Sequence, residues 1–150
     1  MNHGQKNPKT PLLGAITRQE LKESILQSMI EEATAAEFYS RLLKEAPNDL
    51  HYEFIEHARD DELEHLERFE KLYQYLYRSK PQYNIEKIQY PDYRNGLLMA
   101  LKDELEAAEF YRDIQLSVKE QVARDTFYYA MVDELEHATQ FSVLYCLQNN

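Results

Sequence analysis

The 150-residue chain contains one cysteine, Cys146. It has no partner for an internal disulfide and cannot build a four-thiolate iron centre. Glycine and proline are also scarce, three and five in all, so few breaks interrupt the chain and helix is the economical reading. Basic residues are outnumbered, 17 Lys and Arg against 27 Asp and Glu, for a net charge of −10. That balance argues against nucleic acid as a partner, because phosphate binding needs a basic face, and equally against an anionic membrane surface. No apolar run approaches the ~20 residues of a membrane helix, and none follows an early basic segment as in a secretory signal. A cytoplasmic protein with one domain and a real core is expected at this length.

What is present is helical periodicity. Residues 1–16 hold Gly4, Pro8, Pro11 and Gly14, lack a period, and are expected to form a flexible tail ahead of a domain over 17–150. Thr17-Arg-Gln-Glu20 has the pattern of a capping box. Leu21, Ile25, Met29, Glu32, Ala36, Tyr39 and Leu43 then recur at steps of three and four, one face of a helix. Pro47-Asn48-Asp49 ends that helix and caps a second, whose stripe is Phe54, Ala58, Glu62, His65, Phe69, Leu72 and Leu76. Residues 80–92, with Pro81 and Pro91, form a connection. A third helix presents Leu97, Leu101, Glu104, Ala108 and Tyr111. Ser117-Val-Lys-Glu120 reads as another capping box, before a fourth helix carrying Val122, Thr126, Ala130, Glu134, His137, Phe141 and Leu144.

The halves repeat. Glu32-Ala-Thr-Ala-Ala-Glu-Phe-Tyr39 returns as Glu104-Leu-Glu-Ala-Ala-Glu-Phe-Tyr111, and Asp61-Glu-Leu-Glu-His65 returns unchanged as Asp133-Glu-Leu-Glu-His137, both 72 residues on. Residues 25–75 laid on 97–147 agree at sixteen of 51 positions without a gap. A duplicated helical hairpin is the simplest account. Two hairpins joined by about a dozen residues, which extended at ~3.3 Å each span the length of a helix, predict an all-α four-helix bundle with a long crossover.

Polar residues interrupt the apolar stripes at matched places. Glu62 and His65 lie about 60° apart on a helix and share a face, as do Glu134 and His137. Glu32 lies about 15 residues before the first turn and Glu62 about 14 after it, and Glu104 and Glu134 are placed alike around the second. The four carboxylates can therefore converge in one layer. Four ionised carboxylates in a core are prohibitive without compensation. Two divalent cations supply that compensation, with neutral imidazoles completing the coordination; carboxyl groups kept protonated in an empty bundle are the alternative. Mixed oxygen and imidazole ligation suits iron or manganese, and zinc is compatible.

Other acidic residues rank lower. Glu37, Glu109, Glu64 and Glu136 turn away from the stripe, and Glu31, Asp61, Asp103 and Asp133 adjoin the candidate ligands and are read either as supporting them or, for most, as lying at the surface. His51 and His57 have no copy in the second half and are expected to be exposed. Tyr39 and Tyr111 lie two turns from the stripe glutamates on the same face. They are read as core side chains bonded to a ligand carboxylate of another helix, or as redox-active residues beside the metals. The tyrosine-rich stretch 73–93 fits a packed crossover or a subunit interface.

The doubled pattern resembles the ferritin-like superfamily over about residues 18–148, and its Glu-Ala-Ala-Glu-Phe-Tyr segments resemble the rubrerythrin-like branch. The resemblance implies a ferritin-like bundle holding two iron ions through Glu32, Glu62, His65, Glu104, Glu134 and His137, with Glu62 and Glu134 as bridges. It implies reaction with peroxide or dioxygen, an electron donor not yet known, and a homodimer or larger homo-oligomer. Two departures matter. The rubredoxin-like module of rubrerythrins is missing, and Ala107 stands where they carry a further carboxylate. The symmetric ligand set is similar instead to bacterioferritin-like sites, for which oxidation of ferrous iron for storage or transfer is the alternative activity. A helical interaction protein with a structural metal site is a third reading.

Overall fold

The computed structural model describes residues 15–148. Four helices follow one another: α1 (Arg18–Leu43), α2 (Asp49–Tyr77), α3 (Tyr93–Ser117) and α4 (Gln121–Leu147). Most of the expected tail lies outside the described residues. Ile16, at its end, donates its amide to the Ser117 carbonyl at 3.2 Å and packs on the core.

Local chemistry sets most helix ends. The Glu20 amide donates to Thr17 Oγ1 at 3.1 Å while the Thr17 amide donates to Glu20 Oε2 at 2.7 Å, a reciprocal cap for α1. Asn48 caps α2 through the His51 amide, and Asp92 caps α3 through the Asn95 amide. Arg78, in the left-handed conformation at φ 55°, turns the chain out of α2. The fourth start departs from expectation. Ser117 belongs to the last turn of α3 and donates its hydroxyl back to the Asp113 carbonyl at 2.7 Å, and Glu120 precedes α4 without a side-chain cap. A buried serine in a final turn finds an acceptor one turn back, so it does not serve the next helix.

Two register corrections accompany this. Ile55 is buried at the start of α2 where Phe54 was expected, and Ala123 and Phe127 are buried in α4 where Val122 and Thr126 were expected. Repeated steps of four overrun a 3.6-residue turn by about 40° each. Stepping back from Ala130 by three and then four reaches Phe127 and Ala123, which stay on the inner face.

Each helix packs beside two others, α1 against α2 and α3, and α4 against α2 and α3. Leu21 and Ile25 of α1 share an apolar cluster with Phe69 and Leu72 of α2, Tyr111 and Ile114 of α3, and Phe127 of α4. At the opposite end Phe38 and Leu42 meet Ile55, Leu97, Phe141 and Leu144. Helix α2 therefore ends at the far end of the bundle from where α3 begins, and residues 78–92 run the length between them. Tyr83 donates to Glu70 near one end, and the Arg41 guanidinium donates to the Ile88 carbonyl at 2.8 Å near the other. Tyr90 then donates to Glu45 at 2.5 Å. The tyrosines of this stretch thus tie down the crossover. Gly96 lets α3 pass close to α1, since a Cβ there would lie 2.8 Å from Leu42 Cδ2.

Helix α4 is apolar on both sides. Tyr128, Val132, Leu135 and Val143 are exposed along its outer face, where the duplicated positions of α2 are Glu56, Asp60, Leu63 and Lys71.

The α4 register can be measured. Phe127→Ala should destabilise the chain by about 3–5 kcal/mol in urea, the usual result for a buried phenylalanine, while Val122→Ala stays within about 0.5 kcal/mol. Equal losses, or a larger one at Val122, would contradict this placement.

Candidate metal centre

Between the two apolar clusters lies one polar layer. Glu32, Glu62, His65, Glu104, Glu134 and His137 are each at most 2% exposed, so all six residues singled out by the repeat are brought together. One donor atom from each points to a common interior: Glu32 Oε2, Glu62 Oε1, His65 Nδ1, Glu104 Oε2, Glu134 Oε1 and His137 Nδ1. These six are the buried side-chain nitrogens and oxygens without a hydrogen-bond partner among the described residues. An orphaned buried polar group typically costs ~1–3 kcal/mol, so six in one place demand a ligand or protons.

Their spacing suits ions. His65 Nδ1 is 3.4 Å from Glu32 Oε2 and 3.1 Å from Glu134 Oε1. His137 Nδ1 is 3.1 Å from Glu62 Oε1 and 3.5 Å from Glu104 Oε2. Donors held about 2.1 Å from a common cation and about 90–110° apart are themselves about 3.0–3.4 Å apart. Two groups of four residues could each hold an ion: Glu32, Glu62, His65 and Glu134, and Glu62, Glu104, Glu134 and His137. The groups share Glu62 and Glu134, the positions from which a carboxylate bridges two ions.

The outward atoms of Glu32, Glu104, His65 and His137 are tied down, and the ties cross between the duplicated halves. The Tyr39 hydroxyl of α1 donates to Glu104 Oε1 of α3, and the Tyr111 hydroxyl of α3 donates to Glu32 Oε1 of α1. Each leaves the second carboxylate oxygen facing inward. The Nε2–H of His65 donates to Asp133 of α4 at 2.8 Å, and that of His137 donates to Asp61 of α2 at 2.8 Å. A carboxylate on Nε2 fixes the ring so that Nδ1 presents its lone pair to the interior.

Asp61 and Asp133 were expected mostly at the surface. They are about one-fifth exposed and serve as acceptors for the two ring nitrogens that face away from the centre. Their sequence signal was their place in the repeat, four residues before each histidine. His51 corrects a second expectation. It is buried, with its Nδ1 2.8 Å from the Tyr93 hydroxyl, and burial lowers its pKa. His57 is half-buried rather than open, beside Asp61 and Gln140.

Charge in the layer is uneven without metal. Burial, together with the neighbouring Glu32 and Glu104, raises the Glu62 pKa well above the usual carboxyl range. Burial and the charges of Glu104, Glu62 and Glu32 do the same to Glu134. Burial also opposes ionisation of Glu32, but contacts with Glu62 and His65 and the Tyr111 hydroxyl outweigh it, and its pKa falls. Burial disfavours charged imidazole at His65, yet the Asp133 hydrogen bond and Glu32 carry its pKa to about 9. The Asp61 hydrogen bond, Glu104 and Glu62 likewise carry His137 to about 12 against burial. The tyrosines stay neutral, since burial and adjacent carboxylates raise both hydroxyls well above the ordinary 10. In the metal-free chain these shifts all favour protonation, at Glu62 and Glu134 as at both histidines, and so oppose the build-up of buried negative charge.

Comparison with protein-family models, with characterised proteins and with solved structures finds no match to this chain.

The histidines set a pH test. Their folded pKa values lie above the ordinary 6.5, so protonation favours the folded metal-free chain. That contribution is complete below about pH 6.5 and is lost as the pH rises through about 9, the value for His65. The raised carboxyls of Glu62 and Glu134 act in the same direction. Chelated protein should therefore melt at a lower temperature at pH 9 than at pH 6.5, and divalent ions should reduce the difference. A melting temperature that climbs over this window would contradict the assignment.

Proposed function

We propose that this chain is a non-haem diiron protein of the rubrerythrin-like and ferritin-like type, reacting with peroxide or dioxygen. The observation that carries the reading is the pair of four-residue groups sharing Glu62 and Glu134 in a sealed layer. Carboxylate with one imidazole per ion is a ligand set suited to iron, with manganese and zinc compatible. A pair of ferrous ions supplies two electrons to a two-electron oxidant and a positive template that orients it.

The chain's own residues do the remaining work. His65 and His137 each give one nitrogen, held in place by Asp133 and Asp61. Glu62 and Glu134, common to both groups and held only by their neighbours in the layer, would hold both ions. Tyr39 and Tyr111 position Glu104 and Glu32 and hold a proton at each phenolic oxygen against the centre. We assign them as the nearest internal donors of a proton or an electron. The apolar clusters on either side exclude bulk water, which strengthens every charge interaction inside. Electrons for repeated turnover come from a separate donor, because Cys146 cannot form a thiolate-bound iron relay by itself.

A second reading, oxidation of ferrous iron for storage or transfer, uses the same centre and requires association of many copies. The exposed apolar face of α4 favours association, because its charged counterpart on α2 shows that the duplicated position does not need apolar residues.

One experiment addresses both. Anaerobic ferrous loading followed by peroxide should develop ferric absorbance within seconds, and a Glu62→Ala/His65→Ala variant should lose at least about 100-fold of that rate, since losing even a group that only orients a ligand typically costs ~10–100-fold. An unchanged rate would refute the redox reading. Light scattering on the same sample separates the two readings: a monomer or dimer excludes a self-assembled storage shell.

A further inference from the structure

The two ends of the bundle differ in charge. Helices α1 and α4 begin and α2 and α3 finish at one end, where the Ile16 amide meets the Ser117 carbonyl and the Arg18 guanidinium donates to the Leu76 carbonyl. Residues 16–24, 76–80 and 117–125 hold six cations there against four acids, in a chain that has 17 against 27. At the opposite end, residues 44–53 and 91–95 hold two cations against four acids. The six are Arg18, Lys22, Arg78, Lys80, Lys119 and Arg124. None of them pairs with a carboxylate among the described residues, whereas Arg41, Arg59, Arg68, Lys71 and Arg112 each do. Three of the four acids are engaged with uncharged neighbours: Glu20 closes the α1 cap, Glu23 accepts from Gln19 at 2.9 Å, and Asp125 accepts from Gln121 at 2.6 Å.

Helix dipoles account for only half of these positions. Arg78, Lys80 and Lys119 follow the C-termini of α2 and α3, where positive charge is favourable. Arg18, Lys22 and Arg124 lie in the opening turns of α1 and α4, where the positive end of the helix disfavours them. Arg78 carries a further cost. At φ 55° it occupies the left-handed region in which glycine is the usual helix terminator, and its side chain is exposed. A residue kept in a costly conformation, where a cheaper one would serve, points to a use for its side chain. The cations are also held in place. The Arg18 guanidinium sits 4.9 Å from the Tyr77 ring centre, Lys22 Nζ 5.5 Å from the same ring, and the Arg78 guanidinium 6.0 Å from the ring of Tyr75. An aromatic face restrains a cation without neutralising it, so each keeps its charge for another partner.

We propose that this end of the bundle is a docking surface for an acidic segment of another protein, a short run of Asp and Glu received by the six cations. The surface is independent of the metal chemistry. Its sign is opposite to the chain's net charge of −10, so an acidic partner is steered to this end and repelled from the flanks. Arg78 and Arg124 add specificity, because a planar guanidinium pairs with a carboxylate through two hydrogen bonds, the mode by which Arg clusters read acidic motifs. Reach selects a segment over a long polyanion. Exposed charges farther than ~10 Å apart are largely screened, so only groups at this end attract. A nucleic acid long enough to leave the patch would cross acidic helix flanks, whereas a short acidic segment meets the cations alone.

The test measures fluorescence anisotropy of a labelled peptide of alternating Asp and Glu on the full chain at pH 7, with the Asn and Gln version as control. Wild type should bind the acidic peptide and not the neutral one, and should lose affinity as salt rises from about 50 to about 300 mM. Lys80→Glu/Lys119→Glu should weaken binding at least about tenfold, since each reversal removes an exposed attraction and adds a repulsion. Lys44→Glu/Lys102→Glu makes the same change in net charge at exposed lysines away from this end, and should stay within about twofold of wild type. Arg78→Gly should weaken binding about two- to fivefold without lowering the melting temperature, because glycine enters the left-handed region freely. Equal losses in the two double variants would reduce the effect to net charge and overturn the surface. Failure of wild type to bind the acidic peptide would overturn it as well. So would displacement of the peptide by oligothymidylate or phosphatidylserine vesicles at a lower concentration of charge than unlabelled peptide requires.

Discussion

Four carboxylates gathered in the middle of an apolar bundle are the constraint to which the rest of this molecule responds. Each ionised carboxylate taken out of water loses several kcal/mol of solvation even after relaxation, and Glu32, Glu62, Glu104 and Glu134 sit together with almost no exposure. The layer must hold positive charge as protons or as cations. The raised pKa values of Glu62, Glu134, His65 and His137 represent the first solution, and the six inward donor atoms without hydrogen-bond partners are arranged for the second. A core designed only for stability would place leucine or phenylalanine at these positions, as the adjoining layers do with Phe69, Phe127 and Phe141.

The duplicated hairpin makes the layer rigid without disulfides. Its ties are exchanged between halves, Tyr39 to Glu104 and Tyr111 to Glu32, His65 to Asp133 and His137 to Asp61. Neither hairpin alone could orient its own donors, because the group that fixes each one lies on the other. The crossover is what permits this. By carrying the chain back along the bundle it sets α3 antiparallel to α1 and α4 antiparallel to α2, so the central residues of the two halves, Glu32 with Glu104 and Glu62 with Glu134, meet in one layer.

The residues of the inner polar layer were legible because they break apolar stripes at places the repeat duplicates. Glu32 could be matched with Glu104, and Glu62-x-x-His65 with Glu134-x-x-His137, before any packing was known. Asp61 and Asp133 were harder, since their role depends on a neighbouring helix and their own helical position suggests the surface. His51 and His57 have no copy in the second half, so the repeat carried no signal for either. The bundle and crossover were legible from periodicity and the prolines. Ser117 misled because the same residue type can close one helix or open the next. The start of α4 misled because its outer face is also apolar, so hydrophobicity did not separate Val122 from Phe127. Metal identity and the reaction are not written in spacing at all, since iron, manganese and zinc accept the same donors.

Calorimetric titration of the chelated chain with a divalent ion, repeated near pH 7 in buffers of different ionisation enthalpy, tests the central claim most directly. Ions that take the places held by protons in the inner layer should bind at two per chain and release protons, those of His65 and His137 among them, because ligands must be deprotonated to coordinate. Absence of binding, or uptake of two ions without proton release, would contradict the account.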